Sequence, residues 1–113
     1  MLRGSGQFSG DDYDLAGVME GGGDTGVPHA AALLAFADAV IGRDADATAD
    51  AREALTAAIG AAAVVDAAAV VGGFDAITRI ADATGIPLDA RVETQSAGWR
   101  GPLGIDRFAD GKV

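Results

Sequence analysis

The residues best arranged for chemistry are three charged side chains along one predicted helix. Asp75 and Arg79 are four residues apart, and Asp82 follows Arg79 after three residues, so the three side chains are neighbours along the surface of a helix. A buried carboxylate in such a cluster can have a raised pKa and act as a general base. Clusters of this kind more often form a salt-bridge network that orients helices, and we favour that structural interpretation.

His29 is the only histidine of the chain and the only ordinary side chain that titrates near neutral pH. It is a candidate general base if a carboxylate orients its ring. A histidine in the first turn of a predicted helix is usually exposed and without a catalytic role. A Ser–His–Asp triad would need Ser5, Ser9 or Ser96, and each of these lies in a segment with little predicted structure.

A glycine-rich stretch over residues 21–26 matches the G-x-G-x-x-G pattern of dinucleotide-binding proteins. That pattern binds a cofactor only when it follows a strand and opens a βαβ unit, and no second strand follows here. Glu20 and Asp24 would repel a pyrophosphate, and Pro28 lacks a backbone N–H donor. We therefore interpret the stretch as a linker and predict no cofactor.

Alternating acidic residues from Asp44 to Asp50 are similar to the start of a calcium-binding loop. Such a loop needs glycine at its sixth position and a bidentate glutamate at its twelfth, where this chain has Ala49 and Leu55. An acidic linker between two helices explains the residues better. We predict no metal site.

The composition excludes several classes of protein. The chain has 113 residues, no cysteine, 8 Lys and Arg, and 17 Asp and Glu, which gives a net charge of −9. Without cysteine there is no disulfide, thiol nucleophile or Cys-ligated zinc, and a single histidine cannot form a multi-histidine metal centre. The negative charge argues against binding to nucleic acid.

One segment, residues 57–74, is long enough to be considered as a membrane span. Asp66 near its centre is costly to insert, and Gly60 is typical of a helix boundary within it. We therefore interpret the segment as part of a buried soluble helix with no contact to a membrane. The start of the chain has no secretory signal pattern, so we expect a cytoplasmic protein.

Hydrophobic periodicity predicts three main helices and no strand. The first begins near Pro28 and ends near Gly42, and the second, over residues 49–59, has Thr48 as N-cap and Gly60 as its stop. The third covers residues 62–84, with an apolar first half typical of a central buried helix. Gly72 and Gly73 within it suggest a kink or the close approach of another helix.

We thus predict an all-α protein, a small bundle of about three main helices. Residues 1–27 are expected to form a flexible, acidic, glycine-rich segment in which only 13–19 dock, through Tyr13, Leu15 and Val18. Residues 28–90 are expected to form the helical domain. Residues 91–113 are expected to form an irregular tail that packs a few large side chains on the helices; these are Trp99, Leu103, Ile105 and Phe108.

Three stretches resemble the C-terminal half of alkylhydroperoxidase D-like proteins, the carboxymuconolactone decarboxylase superfamily. They are ALLAFADAV at residues 32–40 with Arg43-Asp44, VVGGFDAITRIADATGIPLD at residues 70–89, and GWRGPLGIDRF at residues 98–108. The last is similar to the tail of some actinobacterial-type members. The block at 70–89 is the most specific, and the resemblance covers about two-thirds of the chain.

The resemblance implies a bacterial, all-α protein that assembles as a dimer, trimer or hexamer. Many members of the family reduce peroxides with a Cys-x-x-Cys pair assisted by a Glu and a His, and others are decarboxylating lyases. The dithiol lies in the half that precedes the matched region, and this chain has no cysteine. No catalytic residue transfers, and Arg79, which does match, is interpreted as structural.

Two main hypotheses follow. The first is a truncated or degenerate, non-catalytic helical member that forms a homo-oligomer or pairs with a full-length related chain. The second is a cofactor-independent decarboxylase or lyase that acts through carboxylates and Arg in an oligomeric pocket. A third is a remnant with no role of its own. The predicted helical segments cover only about 60 residues, a size at which a domain is marginally stable alone, so association is expected on physical grounds.

Overall fold

The computed structural model describes residues 8–10, 12–14, 16–19 and 25–107 of the chain. Within these ranges no residue lies in a β-strand, and the predicted all-α class is confirmed. The helices are α1 (Ala16–Met19), α2 (Ala30–Gly42), α3 (Ala45–Ile59), α4 (Ala61–Thr84) and α5 (Ala90–Arg100). The chain divides into two compact units, one up to Gly72 and one from Gly73.

The core of the first unit contains one large side chain from each of three helices. Phe36 of α2, Leu55 of α3 and Val64 of α4 are 4%, 0% and 7% exposed. Smaller or partly buried apolar side chains surround them, namely Ala32, Leu33, Val40, Ala51, Ile59 and Ala67. Their spacing of three or four residues gives each helix one apolar side, which is why three helices can share one core.

The second predicted helix begins earlier than expected. Asp44 is the N-cap of α3, and its Oδ1 accepts a hydrogen bond from the backbone N–H of Ala47 at 3.0 Å. The prediction of Thr48 as the cap was wrong, since Thr48 lies inside the first turn and its hydroxyl donates to the Asp44 carbonyl at 2.6 Å. Asp caps at least as well as Thr, so the earlier cap extends the helix by a turn.

Helices α3 and α4 end at the two glycines that the sequence predicted as stops. Gly60 separates α3 from α4 with a φ of 86°, and its N–H donates to the Thr56 carbonyl at 2.9 Å. Gly85 follows α4 with a φ of 63°. Both φ values lie where residues with a Cβ are strained. The predicted stops at these two glycines are therefore confirmed.

Helix α4 is much less buried than predicted. Of its residues only Val64 is buried, whereas Val65 and Val70 are 68% and 59% exposed. The interpretation of its first half as a central buried helix was wrong, because α2 and α3 cover only one side of it in the first unit. No described heavy atom lies within 4 Å of a Cβ built on Gly72 or Gly73, so the expected close approach of another helix is absent there.

The C-terminal region contains a helix that periodicity did not predict. Helix α5 covers residues 90–100, so the expected irregular structure from residue 91 was wrong as far as Arg100. The Oδ1 of Asp89 accepts hydrogen bonds from the N–H groups of Arg91 and Val92 at 2.9 and 3.3 Å. Ser96 is the only buried residue of α5, so there is no apolar stripe to detect. Asp89 as a capping residue was the signal that could have revealed it.

Large apolar side chains at the end of the chain are only partly covered. Trp99, Leu103 and Ile105 are half-buried, whereas Phe108 lies outside the described residues. Residues 101–104 form turns, and residues 105–107 form a short 3₁₀ turn. Trp99, Leu103 and Ile105 are thus only partly buried.

Several described parts of residues 1–27 contact one another. The N–H of Asp14 donates to the Thr25 carbonyl at 3.1 Å, and Thr25 is only 2% exposed. A Cβ on Gly26 would lie 2.6 Å from the carbonyl oxygen of Asp12, and Gly26 has a φ of +73°. Glycine is needed there for both reasons.

Of the three residues predicted to dock from this segment, two can be assessed. Tyr13 and Val18 are half-buried, and Leu15 lies outside the described residues. Residues 21–24 of the glycine-rich stretch at 21–26, for which a linker role was predicted, lie outside them too.

Replacing Leu55 with alanine should destabilise the protein by about 2–5 kcal/mol, since it leaves a cavity in the centre of a small core. The measurement is the urea midpoint followed by far-UV circular dichroism. Leu88→Ala is the same change at a residue that is 46% exposed. It should lower the free energy of unfolding by only about 1 kcal/mol. Equal midpoints for the two variants would contradict the described core.

Replacing Asp44 with alanine should cost about 1 kcal/mol, because the N–H of Ala47 loses its acceptor. Asp44→Asn should retain most of the stability, since an asparagine side chain also caps. The readout is again the urea midpoint. A loss on Thr48→Ala with none on Asp44→Ala would place the cap at Thr48 instead.

Candidate functional site

The charged cluster on α4 contains one ion pair. The Nε of Arg79 donates to the Oδ2 of Asp75 at 2.9 Å, and the side chains are 58% and 33% exposed. Asp precedes Arg by four residues, so both charged groups meet on the surface of the same helix. The pair is open to solvent, and the burial that a general base would need is missing.

The ion pair shifts the pKa of Arg79. The hydrogen bond to Asp75, followed by the negative charge of that carboxylate, raises the pKa of the Arg79 guanidinium above its ordinary value. Stabilisation by a raised pKa is complete below the value of the unfolded chain and is lost only as the pH rises through the folded value. Both pH values are far above neutrality, so the pair acts as a permanent charge pair.

Asp82 does not join the predicted network. It is exposed, and among the described residues its side chain forms no ion pair or hydrogen bond. The Cα–Cβ bonds of a helix tilt toward its N-terminus, which favours the contact of Arg79 with Asp75 over one with Asp82. The three-residue cluster of the sequence is therefore a two-residue pair in the structure.

His29 is the N-cap residue of α2 and has a left-handed backbone, with a φ of 59°. Its side chain is exposed and forms no capping hydrogen bond. Its carbonyl accepts from the N–H of Leu33 at 3.0 Å. In the described part of the chain no carboxylate bonds to its ring, so the group that would orient a histidine base is not found there.

Of the three serines considered for a triad, Ser96 is not placed for nucleophilic attack. The hydroxyl of Ser96 donates to the carbonyl of Val92 at 2.6 Å within α5, and the residue is buried. Ser5 lies outside the described residues. Ser9 is exposed and lies in the short described segment at 8–10.

A second ion pair was not foreseen from the sequence. The Nε of Arg100, at the end of α5, lies 3.1 Å from the Oδ1 of Asp106. The distance suits a charge pair, but the contact is not a hydrogen bond, and this nitrogen is buried without a hydrogen-bond partner. The contact closes the turn at 101–106. Because the two residues are separated by that turn, spacing alone could not reveal it.

The alternating acidic residues from Asp44 to Asp50 form the N-cap and first turns of α3, so their interpretation as a linker was wrong from Ala45 onward. Among the described residues no group of three His, Asp or Glu side chains is placed to hold a metal ion. Asp44, the first residue of the calcium-loop pattern, instead caps α3. The sequence pattern favoured Thr48 as the cap, so the capping role of Asp44 was not predicted.

The most distinctive surface of the second unit is apolar. Phe74, Ile77 and Ile80 of α4 are 50%, 63% and 60% exposed. At 100° per residue they lie within about 120° of the helix circumference, and we call them the apolar face. Other exposed apolar side chains of the same unit are Ile86, Leu88 and Val92. Asp75 and Arg79 are on the opposite side of the helix from Ile77.

Comparison with protein-family models, with curated proteins and with solved structures found no match for this chain. The resemblance to alkylhydroperoxidase D-like proteins therefore stays a prediction from the residues at 32–44, 70–89 and 98–108. The surface of α4 and the two ion pairs must be interpreted from their own geometry.

Replacing Asp75 with asparagine should leave the urea midpoint nearly unchanged between about pH 6 and pH 9, because exposed pairs contribute little to stability. The small contribution of the pair should be constant over this range, because Arg79 loses its proton only at strongly alkaline pH. A control is Asp82→Asn, which removes an equal charge that has no partner in the described part of the chain. A clearly larger loss for Asp75→Asn would show that the pair is more protected than described.

Proposed function

We propose that this chain is a non-catalytic helical domain that works by associating with another polypeptide chain, as a homo-oligomer or with a related full-length chain. The observation that supports this most is the apolar face of α4. Its three large side chains are at least half exposed, whereas the described core contains only three buried large apolar side chains. Contiguous exposed apolar surface on a soluble protein usually marks an interaction site.

The free energy available from this face is substantial for so small a protein. Full burial of an Ile or Phe side chain contributes about 1.5–3 kcal/mol, and about half of that remains available at Phe74, Ile77 and Ile80. Their burial against a partner would add a few kcal/mol to a domain whose total stability is of the order of 5–15 kcal/mol. The face bears no charge, so a partner would not have to desolvate one there.

The resemblance to alkylhydroperoxidase D-like proteins also supports association with another chain. Its most specific block, residues 70–89, contains the whole apolar face. The family it implies consists of oligomers, and its dithiol lies in a half that this chain does not match. A related full-length chain is therefore a chemically reasonable partner beside a second copy of this chain.

We further propose that the associated protein is cytoplasmic and not membrane-bound. By length and composition alone, α4 could cross a membrane, with a mean hydropathy of 1.6 over an 18-residue window that is 6% buried. A single such helix is weak support for a membrane span. Asp66 and the Asp75–Arg79 pair would place charged groups along it, which is costly in lipid.

Replacing Ile77 with aspartate should shift the protein toward monomer, because a charge in the centre of the apolar face would be buried without a partner. The measurement is native mass over a range of concentrations, with circular dichroism to confirm that the helices remain. Arg79→Ala is the matched control, since it also makes the net charge more negative by one unit but lies on the opposite side of the helix from Ile77. Its mass should equal that of the parent.

The same masses should be measured with a full-length, dithiol-bearing relative present. A complex that forms with the relative and is lost in Ile77→Asp would support the hetero-oligomer over the homo-oligomer. A parent chain that is monomeric alone and with the relative would overturn the proposal, and a molten near-UV spectrum would then favour a remnant. Recovery of the parent in a membrane fraction would contradict the soluble assembly.

The alternative is a cofactor-independent decarboxylase or lyase, for which the Asp75–Arg79 pair is the only organised polar group on α4. We expect neither lactone decarboxylation nor peroxide reduction with a dithiol donor above background, since the pair is exposed and the chain has no cysteine. Both rates are measured with purified, metal-depleted protein. Lactone turnover that disappears in Arg79→Ala, with native helix content, would favour the lyase.

A further inference from the structure

We draw no further inference here: the strongest candidate, the apolar face that Phe74, Ile77 and Ile80 form on helix α4, belongs to the surface already proposed for association, and nothing in the structure shows what covers it.

Discussion

The burial of Leu55 between Phe36 and Val64 is the contact on which the first unit depends. Leu55 is fully buried, and each of its two large neighbours comes from a different helix. Most other apolar residues nearby are alanines or are only partly buried. The helices therefore bury little apolar surface area against one another. A core of this size supplies little stabilisation against the entropy of ordering the chain.

The ends of the helices are held by local hydrogen bonds that are independent of this core. Asp44 and Asp89 cap α3 and α5 with carboxylate oxygens, and Gly60 and Gly85 adopt positive φ values after α3 and α4. Acidic caps also complement the positive end of the helix dipole. Part of the negative charge of the chain thus has a structural use, which weakens the interpretation of its acidic clusters as metal or catalytic sites.

From Phe74 to Asp82, the charged and the large apolar residues of α4 lie on different sides of the helix. The Asp75–Arg79 pair is solvated and lies away from Ile77, whereas Phe74, Ile77 and Ile80 form an uncharged face. This division is typical of a helix that packs on one side and contacts water on the other. A catalytic role for Asp75 and Arg79 therefore has less support than association through the apolar face on the opposite side of the same helix.

Periodicity and breaker residues in the sequence were enough to determine the all-α class, α2, the extent of α4 and the stops at Gly60 and Gly85, because these depend on interactions within a few residues. The capping residue of α3 was misplaced, since Asp44 and Thr48 are both able to cap. Helix α5 was missed, since it has no apolar stripe. Only the tertiary structure could decide which apolar faces are buried, whether Asp82 forms an ion pair with Arg79, and whether Arg100 forms one with Asp106. These outcomes depend on side-chain positions in space, which spacing along the chain does not specify.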